Sequence, residues 1–175
     1  ICYQEDPARA WYDGGSVGRL TGWVRHDGIR RLTGKLPSEP RFVEYGTGCA
    51  LLLKRQAIRA CGLLDDGFYF YGEDADYSLR LRALGGQILH VPRALILHRV
   101  SASLGVGSPR KAYLRSRSHI KLLRRHWPVR SRPVLMVTQT AYIAGHAAWH
   151  RGHGRWETAR ALALGVLDEL RIGTG

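Results

Sequence analysis

The sequence predicts an α/β domain that gives way to helices towards its C-terminus. Three observations carry that prediction. Short apolar runs bounded by Gly, Pro and Asp fill the first hundred residues. A helix-like stretch with acids at its front and Gly85-Gly86 at its end interrupts them, and three longer helix-like stretches follow Ser108. At 175 residues, with 45% hydrophobic and 23% charged content, the chain is long enough to bury a core and too apolar to be disordered throughout.

Residues 1–5 read as a short strand ended by Asp6-Pro7. From Asp13 to Pro40 turn residues dominate (DGGSVG, RLTG, HDG, TGKLPSEP), which predicts a long irregular segment or loose hairpins, a kind of segment that tends to be functional. Phe42 to Leu53 reads as extended chain, a glycine-containing bend and a short apolar run, and Lys54 to Cys61 as a short helix stopped at Gly62. An aromatic loop, Phe68 to Tyr71, then leads through Gly72 into a helix. Glu73, Asp74 and Asp76 fall in its first turn, where negative charge suits the helix dipole, and Gly85-Gly86 caps its end. A strand is expected over Gln87–His98, with Pro92 marking a bend or an edge. A Ser/Gly loop over Ser101–Pro109, expected to be flexible, precedes a strongly basic helix, Arg110–His126, that ends at Trp127-Pro128. Residues 134–149 are mostly apolar but too short to span a membrane and broken by Gln139 and His146, so they read as a buried or interfacial helix. The flanking Arg130, Arg132, Arg151 and Arg155 would suit an anionic membrane face, although packing on the domain itself explains such a helix as simply. A last helix runs from about Trp156 to Leu170.

Charge is distributed unevenly. The chain carries 27 Lys and Arg against 14 Asp and Glu, and eleven of the acids lie at or before Asp76. None occurs between Asp76 and Glu157, a gap that holds fifteen Lys and Arg. Such a block attracts something anionic: nucleic acid, a membrane face or a phosphorylated substrate. The three cysteines make neither a CxxC pair nor a zinc spacing, and an odd number argues against a disulfide framework, so a reducing, cytoplasmic setting fits best. The chain opens at Ile1 without a Met and reads as a domain entered partway, at a strand.

The segments TGCALLLKRQAI, GLLDDGFYFYGEDADYSLRLRALGG and VPRALILHRVSAS, in this order and spacing, resemble the bacterial family 2 glycosyltransferases of the rhamnosyltransferase and galactofuranosyltransferase type. WYDGG at 11–15 and YLRSRSHIKLLRRHW at 113–127 are similar to that family too. The resemblance implies the GT-A fold with a mixed sheet. It implies that residues 1–127 are the acceptor-binding catalytic half, that the nucleotide-binding half is missing, and that 128–175 form a helical extension. The family's Asp-x-Asp metal motif follows an apolar strand; Asp74-Ala75-Asp76 instead follows Gly-Phe-Tyr-Phe-Tyr-Gly and opens a helix, which matches the family's Glu-Asp base motif. The Mg²⁺ or Mn²⁺ ligands are therefore expected mainly in the missing half.

Glycosyl transfer needs a base for the acceptor hydroxyl and stabilisation of a departing nucleoside diphosphate. The resemblance makes Asp74 that base in an inverting reaction, with Glu73 orienting the acceptor or a neighbouring Arg. Asp76 and Arg80 stand at i and i+4 and can pair on one helix face. Capping of a helix alone would also account for all three acids. His98, at a strand end, is the residue that can complete a metal site in the family; a strand-end His is equally an ordinary surface residue. Arg115 and Arg117 suit a diphosphate, since guanidinium matches phosphate oxygens in a fork, although Ser118 departs from the family's Arg-Asn at this point. Trp11, Gly14 and Gly15 resemble the loop beside the donor sugar, and Gly48, Cys49 and Ala50 are expected on the floor of the sugar pocket, with Cys49 a small buried hydrophobe rather than a nucleophile.

The expected partners are a nucleotide-sugar donor and a glycan or lipid-linked acceptor of cell-surface polysaccharide synthesis, with peripheral association at the inner face of the cell membrane and no specific nucleic acid. The 175 residues alone are expected to be inactive. The rival readings are a non-catalytic fragment and a basic nucleic-acid or membrane-binding module; no base-stacking or groove-reading motif accompanies the cations.

Overall fold

The computed structural model of the protein describes residues 1–100, 105, 107–128 and 132–172. Its contacts divide the chain into two compact units. The first comprises 1–18, 24–66 and 73–100; the second comprises 19–23, 67–72 and 101–175. The expected boundary at 127/128 thus differs from the observed division, because the basic helix groups with the two helices after it.

The first unit contains β1 (Cys2–Tyr3), β2 (Gly15–Val17), β3 (Val24–His26), β4 (Arg41–Val43), α1 (Arg55–Cys61), α2 (Glu73–Ala83), β5 (Ile88–His90) and β6 (Leu97–His98), with a 3-10 turn at Thr33–Lys35. In place of the mixed sheet expected, the described residues form three separate two-stranded pairings: β1 with β6 in parallel, β2 with β3 and β4 with β5 antiparallel. The single strand expected over 87–98 is split into β5 and β6 by a turn at Pro92, whose ring removes a ladder donor. The irregular 13–40 segment contains the β2–β3 hairpin and little else that is regular.

Helix α1 ends where Gly62, at φ 78°, turns left-handed and donates its amide to Ile58 O at 2.8 Å. Helix α2 carries acids in its first turn and Arg80 and Arg82 in its last, in line with the helix dipole. It stops in a Schellman motif: Gly86 N donates to Leu81 O at 2.9 Å and Gly85 N to Arg82 O at 3.0 Å. Four successive residues of α2, Ala75 to Ser78, are buried, so this turn is enclosed on all sides rather than along one stripe.

The second unit is built on α3 (Pro109–His126), α4 (Arg132–Gly152) and α5 (Trp156–Ile172). Ser108 caps α3 by accepting from Lys111 N at 3.2 Å, with Pro109 in the first turn where its missing N–H costs nothing. Ile120, Leu123 and Leu135 form its core, with Trp127 and Val166 packed against them. Helices α3 and α5 approach so closely at Gly165 that a Cβ there would lie 2.3 Å from Tyr113 O. Helix α4 buries Leu135 and Gln139 but leaves Val137 71% and Trp149 51% exposed, so it is only partly packed on its own unit. Among the described residues no helix is long and apolar enough to cross a membrane. Residues 101–104 and 106 of the Ser/Gly loop, and Arg130 among the flanking arginines, lie outside the described residues.

Candidate active site

Asp74 sits in the first turn of α2, half-buried, and three donors converge on its carboxylate. Tyr45 donates its hydroxyl to Oδ2 at 2.7 Å, Gly48 its amide to the same oxygen at 2.8 Å, and Ala75 its amide to Oδ1 at 2.8 Å. The loop after β4 that brings Tyr45 and Gly48 here is stitched to α2 by Ser78, whose hydroxyl accepts from Gly46 N at 3.2 Å and donates to Asp74 O at 2.7 Å. Tyr45 is 3% exposed, and its backbone carbonyl accepts from the Tyr12 hydroxyl. Burial, then the charge of Asp74, pushes the Tyr45 phenol far above its ordinary range; burial, then Asp27 and Asp74, does the same for Tyr12.

Rings extend the site. His26 stacks on Tyr45 with centroids 5.6 Å apart, Trp11 meets His26 edge-on at 4.5 Å, and the other side of the chain of rings is His98, 4.5 Å from Trp11. Asp74 and His98 therefore belong to one continuous cluster in the first unit. Burial depresses the basicity of the His98 imidazole, so it is neutral near pH 7 and keeps a nitrogen lone pair. Among the described residues no three His, Cys, Asp or Glu side chains group so as to hold a metal.

Glu73 differs from its neighbour. Burial, and then the charge of Asp74, raises its carboxyl above the ordinary range, and Oε2 is buried without a hydrogen-bond partner among the described residues. Among the described residues no arginine hydrogen-bonds Oε2. Asp76 is fully buried and its Oδ2 takes Arg80 Nε at 2.7 Å; Arg80 also donates to the carbonyls of Cys61 and Leu63, tying α1 to α2. The expected i, i+4 pair is thus present and is a structural lock.

Gly14 and Gly15 are buried, and their lack of side chains serves close packing against the protein. A Cβ on Gly15 would lie 2.5 Å from the Tyr45 ring and 2.9 Å from Arg25 O, and one on Gly14, at φ 93°, would lie 2.9 Å from Val43. Gly48, Cys49 and Ala50 lie exposed in a turn, which corrects the expectation of a buried Cys49; its place follows from the tight turn that delivers the Gly48 amide to Asp74. Arg115 is exposed on α3, and Arg117 pairs with Glu169 at 3.3 Å, both in the other unit. The aromatic loop also belongs to that unit: Phe70 O accepts from Ser118 at 3.0 Å, and Lys121 lies 4.7 Å above the Phe68 ring. The departure at Ser118 therefore anchors this loop.

The sequence reading missed Tyr45, Tyr12 and His26, and with them the lock around Asp13. That buried carboxylate pairs with Arg41 Nη2 at 2.6 Å and lies 3.0 Å from His90 Nε2; the β4–β5 register sets Arg41 opposite His90. Tyr12 and Asp13 stand inside WYDGG and Tyr45 three residues before Gly48, so the signal lay within segments already singled out. A cavity lined by Tyr12, Asp13, Ser38, His90 and Arg93 opens at this lock and does not include Asp74.

No family model matches the chain, and no solved structure matches it. It is 30% identical over 128 residues, 73% of its length, to the N-acetylglucosaminyl-diphospho-decaprenol L-rhamnosyltransferase of Mycobacterium tuberculosis, in strain CDC 1551 and in strain H37Rv alike. The chain spans about a third of the length of these curated relatives, the match covering 35% of each. Over that stretch the chain is similar to enzymes named as glycosyltransferases.

Proposed function

We propose that the chain is the acceptor-side catalytic portion of an inverting glycosyltransferase, with Asp74 as the general base. The observation that carries the reading is the half-buried carboxylate fixed by Tyr45 and Gly48 in the same ring cluster as Trp11 and His98. In the reaction the acceptor hydroxyl gives its proton to Asp74 as its oxygen bonds to the anomeric carbon. The bond from that carbon to the phosphate oxygen breaks, and the nucleoside diphosphate leaves with the electron pair; attack opposite the leaving group inverts the centre. The buried Oε2 of Glu73 is the atom suited to meet a second acceptor hydroxyl. Trp11, between two imidazoles, offers a face for a sugar ring. The described residues do not by themselves fit a Mg²⁺ or Mn²⁺ site: His98 supplies one nitrogen, and no step here passes through a metal.

The relatives' name suggests L-rhamnose as the sugar and a polyprenyl-diphosphate-linked sugar as the acceptor. With such an acceptor, peripheral association at the inner face of a membrane is the reading we favour. The second unit supports this with 14 Lys and Arg against 3 Asp and Glu, and with exposed Trp149 and Trp156.

The test is Asp74→Asn in a full-length parent, which keeps shape and removes the proton acceptor. Turnover is expected to fall by about 10²- to 10⁴-fold with donor affinity unchanged. Near-normal turnover would reject the assignment, as would a larger loss in a folded Asp76→Asn. The 175 residues alone are expected to show none.

A further inference from the structure

Two donors share one oxygen of Asp74, and this asymmetry has chemical content. Tyr45 Oη and Gly48 N both point at Oδ2, at 2.7 and 2.8 Å, whereas among the described residues Oδ1 receives only the Ala75 amide. A carboxylate oxygen has two lone pairs in its plane, so Oδ2 is fully engaged and Oδ1 keeps one free. We infer that Tyr45 is the positioning residue of Asp74: its hydroxyl fixes the carboxylate so that Oδ1 is the oxygen presented to the acceptor's proton. This rests on the reading of Asp74 as the base.

The phenol is built for that task. Its backbone is held by the Tyr12 hydroxyl on the Tyr45 carbonyl, and the loop around it by Gly46 N on Ser78 Oγ. His26 covers one face of its ring, tilted by 19°, with Nε2 3.5 Å from the hydroxyl oxygen. Gly15 passes so close to the ring that any side chain there would collide with Tyr45 Cδ1. Rotation of the ring away from Asp74 is therefore blocked by its surroundings. The titratable groups facing this pair are Tyr12, His26 and Glu73, with Asp27 acting on Tyr12. Because burial and the Asp74 charge push the phenol far above its ordinary range, Tyr45 is a donor at neutral pH. Removing the hydroxyl should leave the carboxylate free to turn and lower the rate while the fold stays intact.

The experiment reads the Gly48 amide by ¹⁵N–¹H NMR in the 175-residue chain at one neutral pH, since that amide donates to the oxygen that Tyr45 also holds. Tyr45→Phe should displace the Gly48 and Ala75 amide signals while signals remote from the site stay in place. Gly48 and Ala75 signals unmoved would overturn the proposal. In a full-length parent, Tyr45→Phe should lower kcat about tenfold with little change in KM, and an unchanged kcat would overturn it as well. The two readings fail separately: near-normal turnover of Asp74→Asn removes the base assignment, whereas the amide signals bear only on what Tyr45 does to the carboxylate.

Discussion

The two units of this protein solve the problem of holding a shape in different ways. The second is helical, with an apolar core around Ile120, Leu123 and Leu135 and a close helix crossing at Gly165. The first has strands of only two or three residues and holds itself with polar locks: Arg80 on Asp76, Arg41 and His90 on Asp13, Tyr45 on Asp74. The charges divide in the same way. The first unit is nearly balanced, with 13 Lys and Arg against 11 acids, while the second carries 14 against 3. Two of those three acids, Asp168 and Glu169, are spent inward, accepting from Tyr113 at 3.0 Å and Arg117 at 3.3 Å. The candidate site lies where the locks are, since a buried polar network fixes side-chain direction in a way that an apolar core does not.

That contrast can be broken, and the strongest blow falls on the helical unit. Gly165→Ala forces a methyl group against the backbone of α3 and should cost about 3 kcal/mol, read by denaturation with residue-resolved hydrogen exchange over α3 and α5. A loss confined to a few tenths would mean that the crossing is looser than described.

Acid should weaken the same unit by nearly as much. Burial, only partly offset by the hydrogen bond to Gln139, holds the His119 imidazole down at about 4, against 6.5 when unfolded. The unfolded chain therefore binds a proton that the fold refuses, and the stability present above pH 6.5 is lost as pH falls towards 4, by about 2–3 kcal/mol. His119→Gln should flatten that dependence.

In the first unit, Asp13→Ala strands Arg41 and His90 together. Arg41 is a third exposed and can reach water, so the expected cost is about 2 kcal/mol, below that of a fully buried pair. Hydrogen exchange over β4 and β5 should report it, and protection left unchanged would mean that apolar contacts hold these strands. The smallest effect belongs to Leu52→Ser: this side chain is 95% exposed, and its loss should stay within about 0.5 kcal/mol in thermal unfolding.

How much was legible beforehand follows the same division. The helices were, because periodicity, Gly62, Gly85-Gly86 and Trp127-Pro128 act locally; α1, α2 and α3 begin and end within a residue or two of expectation. The Asp76–Arg80 pair was legible for the same reason, being one helical turn. The pairing of β4 with β5 and of β1 with β6 was not, since partners as far apart in the chain as Arg41 and His90, or Cys2 and Leu97, leave no mark in a local pattern. Tyr45 escaped because aromatic residues are ordinarily core material, and only the fold turns its hydroxyl towards Asp74. Cys49 misled because composition ranks cysteine among interior residues, whereas the turn at 48–49 spends its backbone on Asp74 and leaves the thiol outside.

The pairing of β4 with β5 sets Arg41 across from His90, and both reach Asp13. A slip of one residue would turn one of these two side chains to the opposite face of the ribbon and leave the buried anion with a single companion. Three-residue strands have little hydrogen-bond ladder to enforce alignment, so a carboxylate that both Arg41 and His90 reach adds a penalty for misalignment. The register of this ribbon is thus backed by a carboxylate outside either strand.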